Sequence, residues 1–250
     1  MVDLIAMGTI AGVIPVYLGI GLAMAVARVL PRTWEGFFIG LANGVLVYLF
    51  FDLMHESVEL TSARDIGSWL VFLGSLLTSF VGLVALEQLQ QGRNRVATAL
   101  VSLPYMIAFG MGLHNLGEGL SIGASYGKGE WVLSGLLIIG YALHNGTEGF
   151  GIISAAGKTR VTWKDAVLLG LIAGTPTCLG AMISGQVNGP YFTIGCYTVA
   201  AGSLLYVVFA LTTVSYTASR RVQTAFGVFI GISLMYITAM LLTLLSGIKS

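Results

Sequence analysis

The chain has 250 residues, 12 Lys and Arg against 11 Asp and Glu, and a formal net charge of +1. Hydrophobic residues make up 56% and charged residues 9%, with a mean hydropathy of +0.89, far too little charge to cover a water-soluble protein of this size. The composition implies a polytopic membrane protein surrounded by membrane lipids, and it offers no basic patch for nucleic acid.

Bilayer-length apolar runs occur eight times, over 4–28, 36–57, 67–88, 96–123, 131–153, 165–185, 190–213 and 222–246. The first run has no basic leader and continues past the length of a signal-peptide core, so it reads as a spanning helix. Pro31-Arg32-Thr33 ends it. The second run carries Asn43, Asp52, His55, Glu56 and Glu59. The last four recur at spacings of three and four, which puts them on one polar stripe toward the end of the helix. They read as an entrance that collects cations, and Asn43, deeper in the run, as a pore-lining candidate. After Ser62-Ala63-Arg64-Asp65 comes the third run, where Glu87 reads as a solvated helix end before Gln90-Gln91-Gly92-Arg93-Asn94.

The fourth run contains Pro104, which predicts a kink, and the fifth begins after Gly127-Lys128-Gly129-Glu130. Both contain H-N-x-x-E-G: His114, Asn115, Glu118 and Gly119 in one, His144, Asn145, Glu148 and Gly149 in the other. With His55 and Glu59, these place all 3 histidines of the chain four residues before a glutamate. On a helix that spacing sets imidazole and carboxylate on one face, a half-site for a divalent metal. An ionisable group in an apolar span is costly without a partner. Asn115 and Asn145 either serve a second, adjacent ligand position or bond across helices. Gly119 and Gly149 allow another backbone to approach closely.

Gly157-Lys158-Thr159-Arg160 separates the fifth run from the sixth, which is polar without charge: Thr175-Pro176-Thr177-Cys178, then Ser184-Gly185-Gln186. Asn188 and Gly189 precede the seventh, where Pro190 suits a first helical turn and Tyr191, Thr193 and Tyr197 follow. Ser219-Arg220-Arg221 leads into the eighth. Met7, Met106, Met111, Cys178 and Cys196 read as core fillers. Loops after odd-numbered spans carry Arg28, Arg32, Arg93, Arg95, Lys158, Arg160, Lys164, Arg220 and Arg221; the other side has Arg64, Lys128 and Lys249. The positive-inside rule then puts both termini on the extracytoplasmic side. No loop is long enough for an ATPase module, and no P-loop or dinucleotide fingerprint is present. The whole of 1–250 therefore reads as one transmembrane domain.

At the two H-N-x-x-E-G segments the chain resembles the ZIP family of divalent metal transporters, nearest to the prokaryotic zinc-uptake and GufA-like members. The resemblance covers essentially the whole chain. It implies an all-α bundle of eight membrane helices in the cell membrane, with both termini outside. It implies transport of Zn²⁺, Fe²⁺, Mn²⁺, Co²⁺ or Cd²⁺ toward the cytoplasm, the metal being substrate rather than cofactor. His114, Glu118, His144 and Glu148 would form the primary metal site, and Asn115 and Asn145 would belong to an adjoining one. His55 and Glu59 match the family's span-two ending. The family's usual prolines are replaced by Gly117, Thr147 and Val58, and the span-six Glu by Thr177. Without that carboxylate the resemblance implies either a weak second metal position or a centre that holds one metal. A glycine-rich face suits a homodimer and intramolecular packing equally well. The alternative from another class is an integral-membrane zinc hydrolase, in which buried His and Glu would activate a metal-bound water.

Overall fold

The computed structural model describes residues 1–29, 34–93, 99–156, 161–184, 189–215 and 221–246. Among them every regular element is helical, and eight long helices follow one another. These are α1 (2–29), α2 (Glu35–Leu60), α3 (Ile66–Arg93), α4 (Ala99–Gly127), α5 (Trp131–Ser154), α6 (Trp163–Ile183), α7 (Pro190–Ser215) and α8 (Arg221–Ser246). They coincide with the eight apolar runs to within a few residues, because in lipid a helix satisfies its own backbone hydrogen bonds. Six, α1, α2, α3, α6, α7 and α8, are long and apolar enough to cross a membrane. The remaining two, α4 and α5, carry the H-N-x-x-E-G segments, whose polar residues lower their hydropathy. This is a multi-pass membrane protein.

Several turn residues lie outside the described residues: Pro31, Arg32, Thr33, Asn94, Arg95, Gly157, Lys158, Thr159, Arg160, Gly185, Gln186, Asn188, Ser219, Arg220 and Lys249. So do the side chains of Arg28 and Arg93, and with them most of the charge pattern that orients the chain.

Helix α1 is not uniform. Val2–Gly8 is α-helical, Thr9–Val13 is π-helical, and Ile14–Val29 resumes the α-helix. Pro15 follows this turn and has no N–H to give the Ala11 carbonyl. The Ile14 N–H bonds to the Thr9 carbonyl, five residues back. Helix α4 runs without a break from Ala99 to Gly127, with Pro104 inside it.

Packing follows the small residues. The helices pair closely as α4 with α6, α1 with α5, α2 with α8 and α3 with α7. At α1–α5 a Cβ on Gly149 would strike the Val16 carbonyl, and one on Gly19 the Gly146 carbonyl. At α4–α6 a Cβ on Gly119 would strike the Thr177 carbonyl, and one on Gly180 the Leu116 carbonyl. These contacts correspond one to one. The α4 segment 114–119 plays the part of the α5 segment 144–149, and Pro176 and Gly180 of α6 play the parts of Pro15 and Gly19 of α1. The bundle centre is thus an internal repeat of two helix pairs. Between them Gly12 of α1 lies directly against Thr177 of α6. Met106 and Met111 are buried in the apolar core, as expected.

Candidate metal centre

Each H-N-x-x-E-G segment projects His and Glu from one face of its helix, and the α4–α5 packing turns the two faces toward each other. His114, Glu118, His144 and Glu148 are all buried, at 2%, 4%, 1% and 1% exposure. Nε2 of His114 lies 3.2 Å from Glu118 Oε1 and 3.7 Å from Glu148 Oε1. His144 Nε2 contacts the same Glu118 oxygen. Ligand atoms of His114, His144 and Glu148 all lie within 4.8 Å of one another. The two ring centroids are 6.1 Å apart. Two imidazoles and two carboxylates therefore cluster, and His114, His144 and Glu148 are close enough to share one cation.

The electrostatics of this cluster are unfinished without a positive charge. Among the described residues, neither oxygen of Glu148 has a partner within hydrogen-bond geometry, nor does Nδ1 of either histidine. A buried carboxylate without donors carries a desolvation cost that a bound dication would offset. Two nitrogens and two carboxylate oxygens make a borderline ligand set that suits Zn²⁺ and its first-row neighbours over Mg²⁺ or Ca²⁺.

Asn115 and Asn145 are buried, and both reach across helices. Asn115 Nδ2 donates to the Ala173 carbonyl of α6 at 3.0 Å. Asn145 Nδ2 donates to the Ala11 carbonyl of α1 and to Glu118 Oε2, each at 2.9 Å. Thr177 is fully buried, and its hydroxyl has no hydrogen-bond partner among the described residues. Cys178 and Cys196 are free thiols.

His55 and Glu59 are not brought to this cluster. They form an i,i+4 pair at 3.3 Å with side chains 70% and 64% exposed. Asp52, one turn deeper on the same stripe, lies within Coulombic reach of His55, His144 and His114. The stripe of α2 thus runs from the exposed helix end toward the buried cluster. Asn43 is buried, and its amide donates to Thr212 of α7 at 2.9 Å. Glu87 is not a solvated end either, since it is half-buried and accepts a hydrogen bond from Tyr206 at 3.0 Å. Hydroxyl side chains lie beside the centre, and of these Tyr197 stands out in the sequence while Tyr141 and Ser121 do not. Tyr141 packs edge-on against His144, with ring centroids 5.6 Å apart, and Ser121 lies 3.4 Å from the Tyr197 hydroxyl. The sequence signal of Tyr141 and Ser121 is spacing, one turn from His144 and from Glu118.

Comparison with protein-family models and with curated proteins finds no match to this chain.

Proposed function

We propose that this membrane protein is a divalent metal transporter of the ZIP type, carrying Zn²⁺ or a similar ion toward the cytoplasm through the α4–α5 centre. One observation carries the reading: two imidazoles and two carboxylates are buried together inside a bundle of membrane helices. Such groups are expensive in a membrane and mark ion pathways. Glu118 and Glu148 offset the charge of a dication, and His114 and His144 select for borderline metals. The exposed stripe of Asp52, His55, Glu56 and Glu59 is the entrance. With eight spans and the basic loops in the cytoplasm, that end of α2 faces outside, as do both termini. Asp3 lies at the same end, where the Tyr126 hydroxyl at the end of α4 donates to it at 3.3 Å.

Uptake into proteoliposomes tests this, with Zn²⁺, Fe²⁺, Mn²⁺, Co²⁺ and Cd²⁺ in competition and matched vesicles carrying His144→Ala with Glu148→Ala. Flux in the wild type that is lost in the double variant supports the reading and ranks the substrates. Flux that survives the double variant would sink the centre. No flux, with turnover of a lipid or peptide substrate, would replace transport by hydrolysis.

A further inference from the structure

Asn145 links the centre to another helix. An amide nitrogen has two N–H groups, and both of Asn145's are used, one on the Ala11 carbonyl and one on Glu118 Oε2. Glu118 Oε1 in turn faces both imidazoles. A continuous path therefore runs from the backbone of α1, through Asn145 and Glu118, to His114 and His144. The Ala11 carbonyl is open to this bond because its α-helical donor would be the N–H of residue 15, and Pro15 has none. The other helix pair has a related bond, but to a carbonyl whose α-helical donor would be the Thr177 N–H rather than a proline. Asn115 bonds to the Ala173 carbonyl, three residues before Pro176, whereas Ala11 lies four residues before Pro15. The extra residue is absorbed by the π-helical turn Thr9–Val13, a feature that clusters at functional sites.

We propose that Asn145 is a positioning donor that holds Glu118 against the backbone of α1, and that the π-helical turn with Pro15 presents the Ala11 carbonyl to it. This rests on the metal centre proposed above. It differs from the role the family resemblance implies, in which the Asn145 oxygen ligates a second ion. The two roles respond oppositely to Asn145→Asp. A positioning donor becomes a carboxylate facing Glu118 Oε2 and the Ala11 carbonyl, so Glu118 is repelled from its place. A ligand becomes a stronger, charged oxygen ligand, so metal binds at least as tightly.

The experiment is Co²⁺ binding to the full chain in detergent. Visible absorption reads affinity and coordination, and equilibrium dialysis reads stoichiometry. Asn145→Asp is expected to lower Co²⁺ affinity about 10- to 100-fold, the range for losing a group that orients a metal ligand, and to change the spectrum. Pro15→Ala, which returns an N–H to compete for the Ala11 carbonyl, is expected to weaken binding in the same direction. Undiminished or tighter binding by Asn145→Asp, or a second equivalent of Co²⁺, overturns the proposal. If that variant does not elute as folded protein, Pro15→Ala decides, and wild-type affinity there overturns it. Wild type that binds Co²⁺ but passes no ion removes the transport reading and leaves the positioning role. Wild type that passes ions, with undiminished affinity in Asn145→Asp, does the reverse. Wild type that binds no Co²⁺ removes the centre and this role together.

Discussion

At the scale of the residue, Glu148 is the side chain whose environment most needs a cation. It is 1% exposed, and among the described residues neither oxygen has a partner within hydrogen-bond geometry. Removing such a charge relieves a desolvation cost but also removes a ligand. Glu148→Gln is therefore expected to raise the melting temperature of the metal-free protein in detergent. It should also abolish most of the stabilisation by metal, which for wild type at roughly 100 times Kd is about 2.7 kcal/mol. Calorimetric melts with and without Zn²⁺ check both halves, and an unchanged metal-induced shift would contradict the ligand assignment. Proton competition has a definite sign as well. Metal needs neutral imidazole and ionised carboxylate, so lowering pH protonates the ligands and weakens binding. Uptake measured at equal transmembrane pH should fall as the medium is acidified from neutral through the histidine range, about pH 6.5 for an unperturbed imidazole, and a flat profile would argue against histidine ligation.

At the scale of the element, helix identity came from hydropathy, and helix contact came from glycine. Gly149 and Gly119 each sit where a Cβ would meet the backbone of the neighbouring helix. Backbone cannot retreat as a flexible side chain can, so the two helices must separate. Gly149→Ala is expected to cost about 1–3 kcal/mol by overpacking and to weaken metal binding, because α5 carries His144 and Glu148. Gly135 of α5 has nothing within 4 Å of a Cβ position. Gly135→Ala is expected to be neutral or to stabilise by roughly 0.5–1 kcal/mol through helix propensity. Paired thermal melts distinguish the two sites, and equal effects would remove the packing argument. Pro104 and Pro15 look alike in a helix pattern, yet α4 stays α-helical through its proline while α1 turns π-helical beside its own. In α1 the carbonyl that the proline leaves without an N–H donor takes a bond from Asn145 of α5.

At the scale of the whole molecule, the polar residues are inside and the apolar ones face lipid. Only 11% of the apolar stretch of α3, and of α8, is buried within the molecule. Leu70, Leu73 and Leu77 project from α3 at 59% exposure or more. In water such faces would aggregate; in a bilayer they meet acyl chains. Orientation is testable at this scale. In a background with Cys178 and Cys196 replaced, cysteines at Ser62 and Lys128 are expected to react with a membrane-impermeant thiol reagent on intact cells. One at Thr162 is expected to react only after lysis. The opposite pattern would invert the proposed direction of transport.

Composition and spacing by themselves determined that this is a helical membrane protein, where its helices lie, and which His and Glu residues pair on a face. Those properties depend on hydropathy and on the 3.6-residue period, both of which are local. Tertiary structure alone decided that His114, Glu118, His144 and Glu148 share one space while His55 and Glu59 stay at an exposed helix end, since all three pairs have the same spacing. It also decided that Asn145 reaches the Ala11 carbonyl of a helix 134 positions away, and that Asn43 and Glu87 tie helices together. Which neighbour a buried polar group finds depends on helix rotation and close approach, and those are set by glycine contacts between segments far apart in the chain.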